Sequence, residues 1–385
     1  MMQMRDAAYE LPTGQCGIQI LLENESQIPP VSEWFRSHFE RMGLAEAQLA
    51  TQVDPSAGPS IQIQFRDEVA SEWAPGGNTA LLRPRLNHGT PGRDRDLDDE
   101  ILLAMLLSPI PFDFPSHQEL ISTIRIRRTI VQAAGRTAVA FATTKADRPP
   151  DYWHYDEDRG FLLLPGKSLI TALEKSTNSG ESETLYTFSC RRATEYLLLL
   201  GLTREAMTCN PPLFVQLHHQ AETRALKGWE FERTFVRTIG SMENPLPLRY
   251  FVPGDRTWFR NVDPMSADVT GFEGSWTIYL GGGLFADFWR RDRVFTLETK
   301  LASMYHWRNA TYQDADGELQ IDEAHVEELV AETCRTPGAL ERILQEAMRL
   351  QVPLGTDGGG CIEPHREHPC WVRPETTDVV LPDVV

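Results

Sequence analysis

Thr187-Phe188-Ser189-Cys190-Arg191-Arg192-Ala193 opens the most apolar helical segment of the sequence. Ser189 is a polar residue of the kind that caps helices, and Cys190 follows it in the opening turn. The apolar positions that continue the segment are Ala193, Tyr196, Leu197, Leu200 and Leu202. A helix this apolar on all sides is typical of a protein core. We therefore predict a core helix with a cysteine at its N-terminus.

Cys190 would lie where a thiolate is stabilised. Backbone N–H groups and the positive end of the helix dipole favour an anion there, and Arg191 and Arg192 add positive charge. Such surroundings produce a nucleophilic cysteine. The alternative is that Cys190 is a small core residue, as most single cysteines are. The residues alone leave both interpretations open.

Composition limits the class of protein. The 385 residues suffice for one large or two moderate domains, and the 41% hydrophobic and 24% charged residues are typical of a globular chain. The formal charge of −18 makes nucleic acid an unfavourable partner. The longest apolar stretches, residues 101–107 and 196–202, are too short to span a membrane. Six scattered cysteines and a start without a secretory signal favour a reducing, cytoplasmic location.

Periodic patterns on both sides of the Cys190 segment predict an α/β protein. Helical spacing appears in residues 97–107 and 118–138, and again in residues 322–350, where Pro337-Gly338 divides two helices. Arg125, Arg127 and Arg128 are interpreted as the solvated side of the second of these helices. Short alternating runs predict one antiparallel sheet, with strands at residues 249–252, 257–259, 276–280 and 294–297. Gly281-Gly282-Gly283 is expected to form a hairpin turn within it.

Several motifs occur in the same order as in a known family. They are Ser108-Pro109-Ile110-Pro111-Phe112-Asp113-Phe114, Ile130-Val131-Gln132-Ala133-Ala134, Ala140-Phe141-Ala142-Thr143, Tyr186-Thr187-Phe188-Ser189-Cys190, Gly254-Asp255 with Trp258-Phe259-Arg260-Asn261, Phe285-Ala286-Asp287, Gly338-Ala339-Leu340 and Ala347-Met348-Arg349-Leu350-Gln351-Val352-Pro353. With these motifs, residues 99–355 resemble the bacterial protein-glutamine γ-glutamyltransferase of the endospore-coat type. Each motif is weak alone, and their shared order carries the resemblance.

The resemblance implies a papain-like core related to the NlpC/P60 hydrolases, with an antiparallel sheet packed against helices. It implies that Cys190 is the nucleophile and that Glu273 matches the catalytic glutamate. It also implies protein substrates that bear glutamine and lysine, and no metal or organic cofactor. Two positions depart from the family: Ser189 replaces a glutamate, and Asp287 replaces the histidine that follows Phe285-Ala286.

The replaced histidine leaves the proton carrier open, because imidazole is the usual shuttle at neutral pH. Asp287 could share a proton with Glu273 and so act as an acid, or His306, His218 or His219 could substitute. If active, the protein would form a Cys190 thioester with a glutamine γ-carboxamide and pass the acyl group to lysine. The alternatives are a cysteine amidase or deamidase, in which water replaces lysine, and a catalytically silent binding or structural protein.

The termini lie outside the resemblance. Residues 1–98 are predicted to be an N-terminal extension, separated by a charged linker, Pro91-Gly92-Arg93-Asp94-Arg95-Asp96, and residues 356–385 to be a polar tail. That tail contains Cys361, His365, His368 and Cys370, whose spacing matches no common zinc finger. A polar tail is the preferred interpretation, and a zinc site is the alternative.

Overall fold

The computed structural model describes residues 16–44, 49–54, 59–86, 94–141, 146–178, 184–290, 293–352 and 359–382. The helices are α1 Ile28–Arg41, α2 Asp67–Trp73, α3 Leu82–Leu86, α4 Asp94–Leu106, α5 His117–Ala134, α6 Leu169–Thr177, α7 Cys190–Cys209, α8 Pro211–Thr223, α9 Trp229–Phe235, α10 Pro264–Ala267, α11 Leu297–Trp307, α12 Glu323–Arg335 and α13 Ala339–Ala347. The strands are β1 Ile18–Leu21, β2 Leu49–Asp54, β3 Ser60–Phe65, β4 Phe112–Phe114, β5 Ala140–Phe141, β6 Trp153–Asp156, β7 Gly160–Leu163, β8 Thr187–Phe188, β9 Val236–Ile239, β10 Arg256–Arg260, β11 Gly274–Gly281, β12 Leu284–Ala286, β13 Val294–Thr296, β14 Thr311–Gln313, β15 Leu319–Ile321 and β16 Arg366–Pro369. Of the family motifs, Ala142, Thr143 and Pro353 lie outside the described residues.

The largest sheet has six antiparallel strands in the order β13-β12-β11-β10-β16-β9. Helix α7 packs against β11 and against α5. Gly201 permits the close approach of the two helices, because a Cβ atom there would lie 2.8 Å from Cγ1 of Ile130. The mixed α/β class, with an antiparallel sheet packed against helices, is confirmed.

Several local predictions agree with the structure. α7 begins at Cys190, and the Ser189 side chain accepts a hydrogen bond from the Arg192 N–H. Gly281, Gly282 and Gly283 all have positive φ and form the turn between β11 and β12. In contrast, residues 249–252 form no strand.

Arg127 differs from the expected solvated face of α5. Its side chain is fully buried and pairs with Asp255 at 2.8 Å. Gly254 permits this pair, because a Cβ atom there would approach Arg127 to 3.0 Å. The Gly254-Asp255 motif thus anchors α5 to the segment that precedes β10.

The C-terminal segment also differs from the predicted polar tail. Strand β16 lies inside the large sheet, paired antiparallel with both β9 and β10. Arg366 is fully buried, and its guanidinium donates to the carbonyls of Tyr250 and Glu363. Residues 366–369 therefore complete the central sheet.

The N-terminal region forms a second sheet, in the order β2-β3-β1-β4. Strand β1 pairs in parallel with β4, which comes from the predicted central domain. Of the predicted linker, residues 91–93 lie outside the described part, and α4 begins at Asp94. Buried side chains of β1, β3, α4, α5 and α7 belong to one apolar cluster. Within the described ranges, no helix has the length and apolarity that crossing a membrane requires.

Candidate active site

A cavity of about 120 Å³ lies at the N-terminus of α7. Cys190, the first residue of that helix, is partly buried and lines it. Asp287, directly after β12, and Lys300, in the first turn of α11, line the same cavity. The structure therefore brings a thiol, a carboxylate and an amine together from three elements.

Burial and nearby polar groups change the pKa of the Cys190 thiol in opposite directions. Burial raises the pKa of the thiol, whereas the Trp276 N–H and the positive charge of Lys300 lower it. The predicted contribution of the neighbouring arginines is wrong, because both are engaged elsewhere. Arg191 donates to Glu232 at 2.7 Å, and Arg192 pairs with Glu195. The cation that acts on the sulfur is Lys300.

Asp287 is fixed by its position at the end of β12. The hydroxyl of Thr277 donates to the Ala286 carbonyl at 2.9 Å and so secures that strand to β11. The Asp287 carboxylate accepts from the Trp289 N–H at 3.1 Å and lies 3.3 Å from Nε of Arg293. Burial raises the pKa of this carboxyl, and the backbone donor and nearby cations lower it.

Lys300 is a functional candidate that the sequence analysis missed. Its side chain is buried, with 8% exposure, and its ammonium lies 4.8 Å from the centre of the Phe295 ring. Burial lowers the pKa of the amine, and the charges of Asp287 and Cys190 raise it. Lysine is scarce in this sequence, at five of the 37 lysines and arginines, but no local pattern around Lys300 predicts its burial.

Glu273 does not join the group in the cavity. It is exposed, and its carboxylate accepts a hydrogen bond from the Gly271 N–H at 3.2 Å. Gly271 and Gly274 line the cavity. A proton shared between Glu273 and Asp287 has no support in this geometry, and the catalytic role of Glu273 stays a prediction.

The candidate histidines also lie elsewhere, and the described cavity wall contains no imidazole. His306 is buried between Thr333 and Asn309, and each of its ring nitrogens contacts one of these side chains. His218 bonds to the Lys167 carbonyl, and His219 belongs to the same helix, α8.

Aromatic rings form much of the cavity wall. The ring of Phe141 lies 5.1 Å from Trp289 and 6.1 Å from Phe272, and Phe272 lies 5.1 Å from Trp307. These aromatic faces form the apolar part of the cavity wall. Trp258 and Trp276 pack against each other across β10 and β11 instead of lining the cavity.

The rim of the cavity is charged. Arg290 and Arg293 both pair with Glu327 of α12, and the Arg293 to Glu327 distance is 2.8 Å. Arg293 thus contacts Asp287 on its inner side and Glu327 on its outer side. These ion pairs join Arg290 and Arg293, which precede β13, to α12.

The four residues weighed as a zinc site lie away from this cavity. Cys361 and Cys370 are buried, and burial raises the pKa of the Cys361 thiol to about 12. His368 is buried in β16, with Nδ1 near the Pro369 carbonyl. In the part of the chain that the structure describes, no group of histidine, cysteine or acidic residues is arranged to hold a metal ion.

Comparison with known proteins identifies a family. A search of curated proteins gives no match. Among solved structures, a transglutaminase from Geobacillus stearothermophilus, without its C-terminal extension, is 24% identical; the match covers 56% of this chain and 98% of that one, with a TM-score of 0.39. The model of the protein-glutamine gamma-glutamyltransferase family matches residues 82–311. Because this match covers more than half of the sequence, the chain belongs to the protein-glutamine gamma-glutamyltransferase family.

Proposed function

We propose that this protein is a cysteine-dependent acyltransferase that joins protein glutamine to lysine through a thioester on Cys190. The observation that carries the proposal is the cavity at the start of α7, where Cys190 lies with a buried carboxylate and a buried amine. Family membership supports protein substrates and transfer chemistry. The proposed chemistry requires neither a metal nor an organic cofactor.

The first half-reaction forms the thioester. The Cys190 thiolate attacks the glutamine γ-carboxamide carbon, the C–N bond breaks, and ammonia leaves. The N–H groups of Cys190 and Arg191 have no carbonyl partner within α7, so they are suited to stabilise the developing oxyanion, whereas the Arg192 N–H is already bonded to the Ser189 side chain. The departing nitrogen needs a proton from the cavity wall. Asp287 and Lys300 line that wall, which supports a role for them in this step better than for the exposed Glu273.

The second half-reaction resolves the thioester. A lysine amine attacks the acyl carbon, loses a proton, and releases the Cys190 thiolate, which leaves an isopeptide bond. Water as the acceptor would give glutamate, the deamidase outcome. The aromatic wall around Phe141, Phe272 and Trp289 supports transfer to an amine, because it limits water near the thioester.

Incorporation of a labelled primary amine into a glutamine-bearing protein tests the proposal, with released ammonia measured in parallel. We expect labelling by the wild type and none by Cys190→Ala. Cys334→Ala is the matched control, because Cys334 is an exposed thiol on α12, and it should label normally. Ammonia without labelling would establish the deamidase. Absence of both products in the wild type would indicate the silent relative that Asp287 and Ser189 suggest.

A cytoplasmic location is part of the proposal. All six cysteines are free thiols, which is typical of a reducing compartment. Such a compartment also keeps a nucleophilic Cys190 in its active thiol form.

A further inference from the structure

Lys300 is unusual among the cations of this protein. The largest fully buried basic side chains are arginines, namely Arg127, Arg256 and Arg366. Of the four lysines in the described ranges, the other three are exposed, and only Lys300 is buried. Arginine stays protonated under all ordinary conditions, whereas a buried lysine can release its proton. The buried basic side chain at the cavity that holds Cys190 is therefore one that can release its proton.

Stability does not explain the position of Lys300. Burial of an ammonium is costly, and the first turn of α11 adds the positive end of a helix dipole. Thr296 and Thr299 already cap this helix reciprocally, so its N-terminus needs no further polar group. A methionine of similar length would fill the same space without the cost of burying a charge.

Charged groups surround Lys300 on each side of the cavity. Burial lowers the pKa of Lys300, and the negative charges of Asp287 at the end of β12 and Cys190 of α7 raise it. The positive charge of Arg293, from the segment before β13, lowers it further. Glu323 and Glu327 of α12 and Arg290 lie at the cavity rim. Lys300 thus lies between a thiol that must lose a proton and a carboxylate that favours the ammonium.

We propose that Lys300 is the proton-transfer residue of the reaction, in the role that the family assigns to the missing histidine. This inference rests on the proposed function. As Cys190 attacks, the Lys300 ammonium gives its proton to the departing nitrogen, which yields the thioester, ammonia and a neutral amine. The neutral amine then takes the proton that the incoming lysine loses when it forms the isopeptide bond. Cys190 leaves as a thiolate, and the Lys300 ammonium is restored.

Asp287 is the positioning residue for Lys300 in this scheme. Its carboxylate favours the charged amine, which counters burial and the charge of Arg293. The Lys300 charge lowers the pKa of Cys190, and the Cys190 charge raises the pKa of Lys300, so each group favours the charged form of the other. The Cys–His pair of related cysteine enzymes is replaced here by a cysteine and a lysine with a carboxylate behind it.

Two variants separate charge from proton transfer. Lys300→Arg retains a cation beside Cys190 but cannot release a proton, and Lys300→Met removes both properties. We expect both to lose amine incorporation by about 10²- to 10⁴-fold, the usual contribution of acid–base catalysis. Lys175→Met, at an exposed lysine of α6, is the matched control and should retain wild-type activity.

The pH dependence of Cys190 alkylation by iodoacetamide gives a readout that does not require turnover. Lys300→Met should shift its midpoint upward, and one pH unit makes the thiolate about tenfold scarcer at neutral pH. Lys300→Arg should keep the wild-type midpoint while turnover is lost. Thermal unfolding of both variants near or above the wild-type temperature would confirm that they fold.

Three results would overturn the inference while leaving the proposed function intact. They are a Lys300→Met variant that turns over normally, an unchanged alkylation midpoint in that variant, and Lys300→Arg with wild-type turnover. Failure of the proposed function has a different signature: the wild type itself would incorporate no amine. Mass spectrometry of the wild type after turnover adds a check, because stable acylation of Lys300 would make it an acceptor and exclude the shuttle.

Discussion

The resemblance to the family places Asp287 at the position of a histidine, and burial raises the pKa of its carboxyl while its polar neighbours lower it. It accepts a backbone N–H from Trp289 and lies beside the two cations Arg293 and Lys300. An imidazolium in the same place would face like charges on both sides. We interpret the aspartate in place of the family histidine and the buried Lys300 as two parts of one electrostatic arrangement.

We expect Asp287→Asn to fold and to lose activity by about 10- to 100-fold, because the amide cannot counter the burial that lowers the pKa of Lys300. Loss of this carboxylate should also move the alkaline limb of the pH–rate profile to lower pH. Glu327→Gln is the control, since Glu327 pairs with the same Arg293 at the outer rim. Steady-state kinetics from pH 6 to 10 would measure both effects, and equal losses in the two variants would count against a special role for Asp287.

The residue-level prediction from sequence succeeded where local chemistry decides the outcome. The Ser189 cap fixes the start of α7, and Cys190 follows from it. Lys300 could not be identified in this way, because its burial depends on α7 and α12, which are distant in sequence. The same holds for Arg191 and Arg192. Their positive charge is evident from the sequence, but their side chains turn away from Cys190 to pair with Glu232 and Glu195.

At the scale of elements, α7 is held in place by a buried arginine. Nε of Arg256 in β10 donates to the Thr194 hydroxyl at 2.9 Å, one turn after Cys190. The same guanidinium donates to Glu367 of β16 at 2.9 Å and lies over the Trp276 ring of β11. A single side chain thus joins the helix that carries the nucleophile to three neighbouring strands.

Thr194→Val should lower the free energy of unfolding by about 1–3 kcal/mol, because it leaves a buried Arg256 donor without a partner. Amine incorporation should fall as well, since the first turn of α7 loses its anchor. Thr194→Ser keeps the hydroxyl and should lose less stability. Urea denaturation of the three proteins measures the difference, and a Thr194→Val protein as stable as the wild type would show that the hydroxyl does not anchor Arg256.

Helices and long strands were predictable because their apolar periodicity is local. Strand β16 was not, because Arg366, Glu367 and His368 are polar residues, and their burial depends on partners far away. Glu367 meets Arg256, and Arg366 meets carbonyls of residues 247–250. A segment of this composition is interpreted as a tail until the tertiary partners are known.

At the scale of the whole molecule, the N-terminal region packs directly onto the central helices. His117, the first residue of α5, lies 4.9 Å from the ring of Trp34 and 6.4 Å from that of Phe35, both on α1. Its Nε2 is buried without a hydrogen-bond partner among the described residues. Burial, with a smaller effect of His38, lowers the pKa of His117 to about 4 from the ordinary 6.5.

This shift predicts how acid affects stability. Above pH 6.5, His117 is neutral in both the folded and the unfolded chain and contributes no pH dependence. As the pH falls from 6.5 to about 4, the unfolded chain binds a proton that the folded protein excludes, so stability is lost across that window. We expect about 1–2 kcal/mol, below the full value for the shift, because partial exposure screens the charge. His117→Gln should reduce the difference in the free energy of unfolding between pH 7.5 and pH 5. His325→Gln, at an exposed histidine of α12, should retain the wild-type difference. If His117→Gln instead kept the wild-type difference, the acid sensitivity would belong to groups outside the contact between α1 and α5.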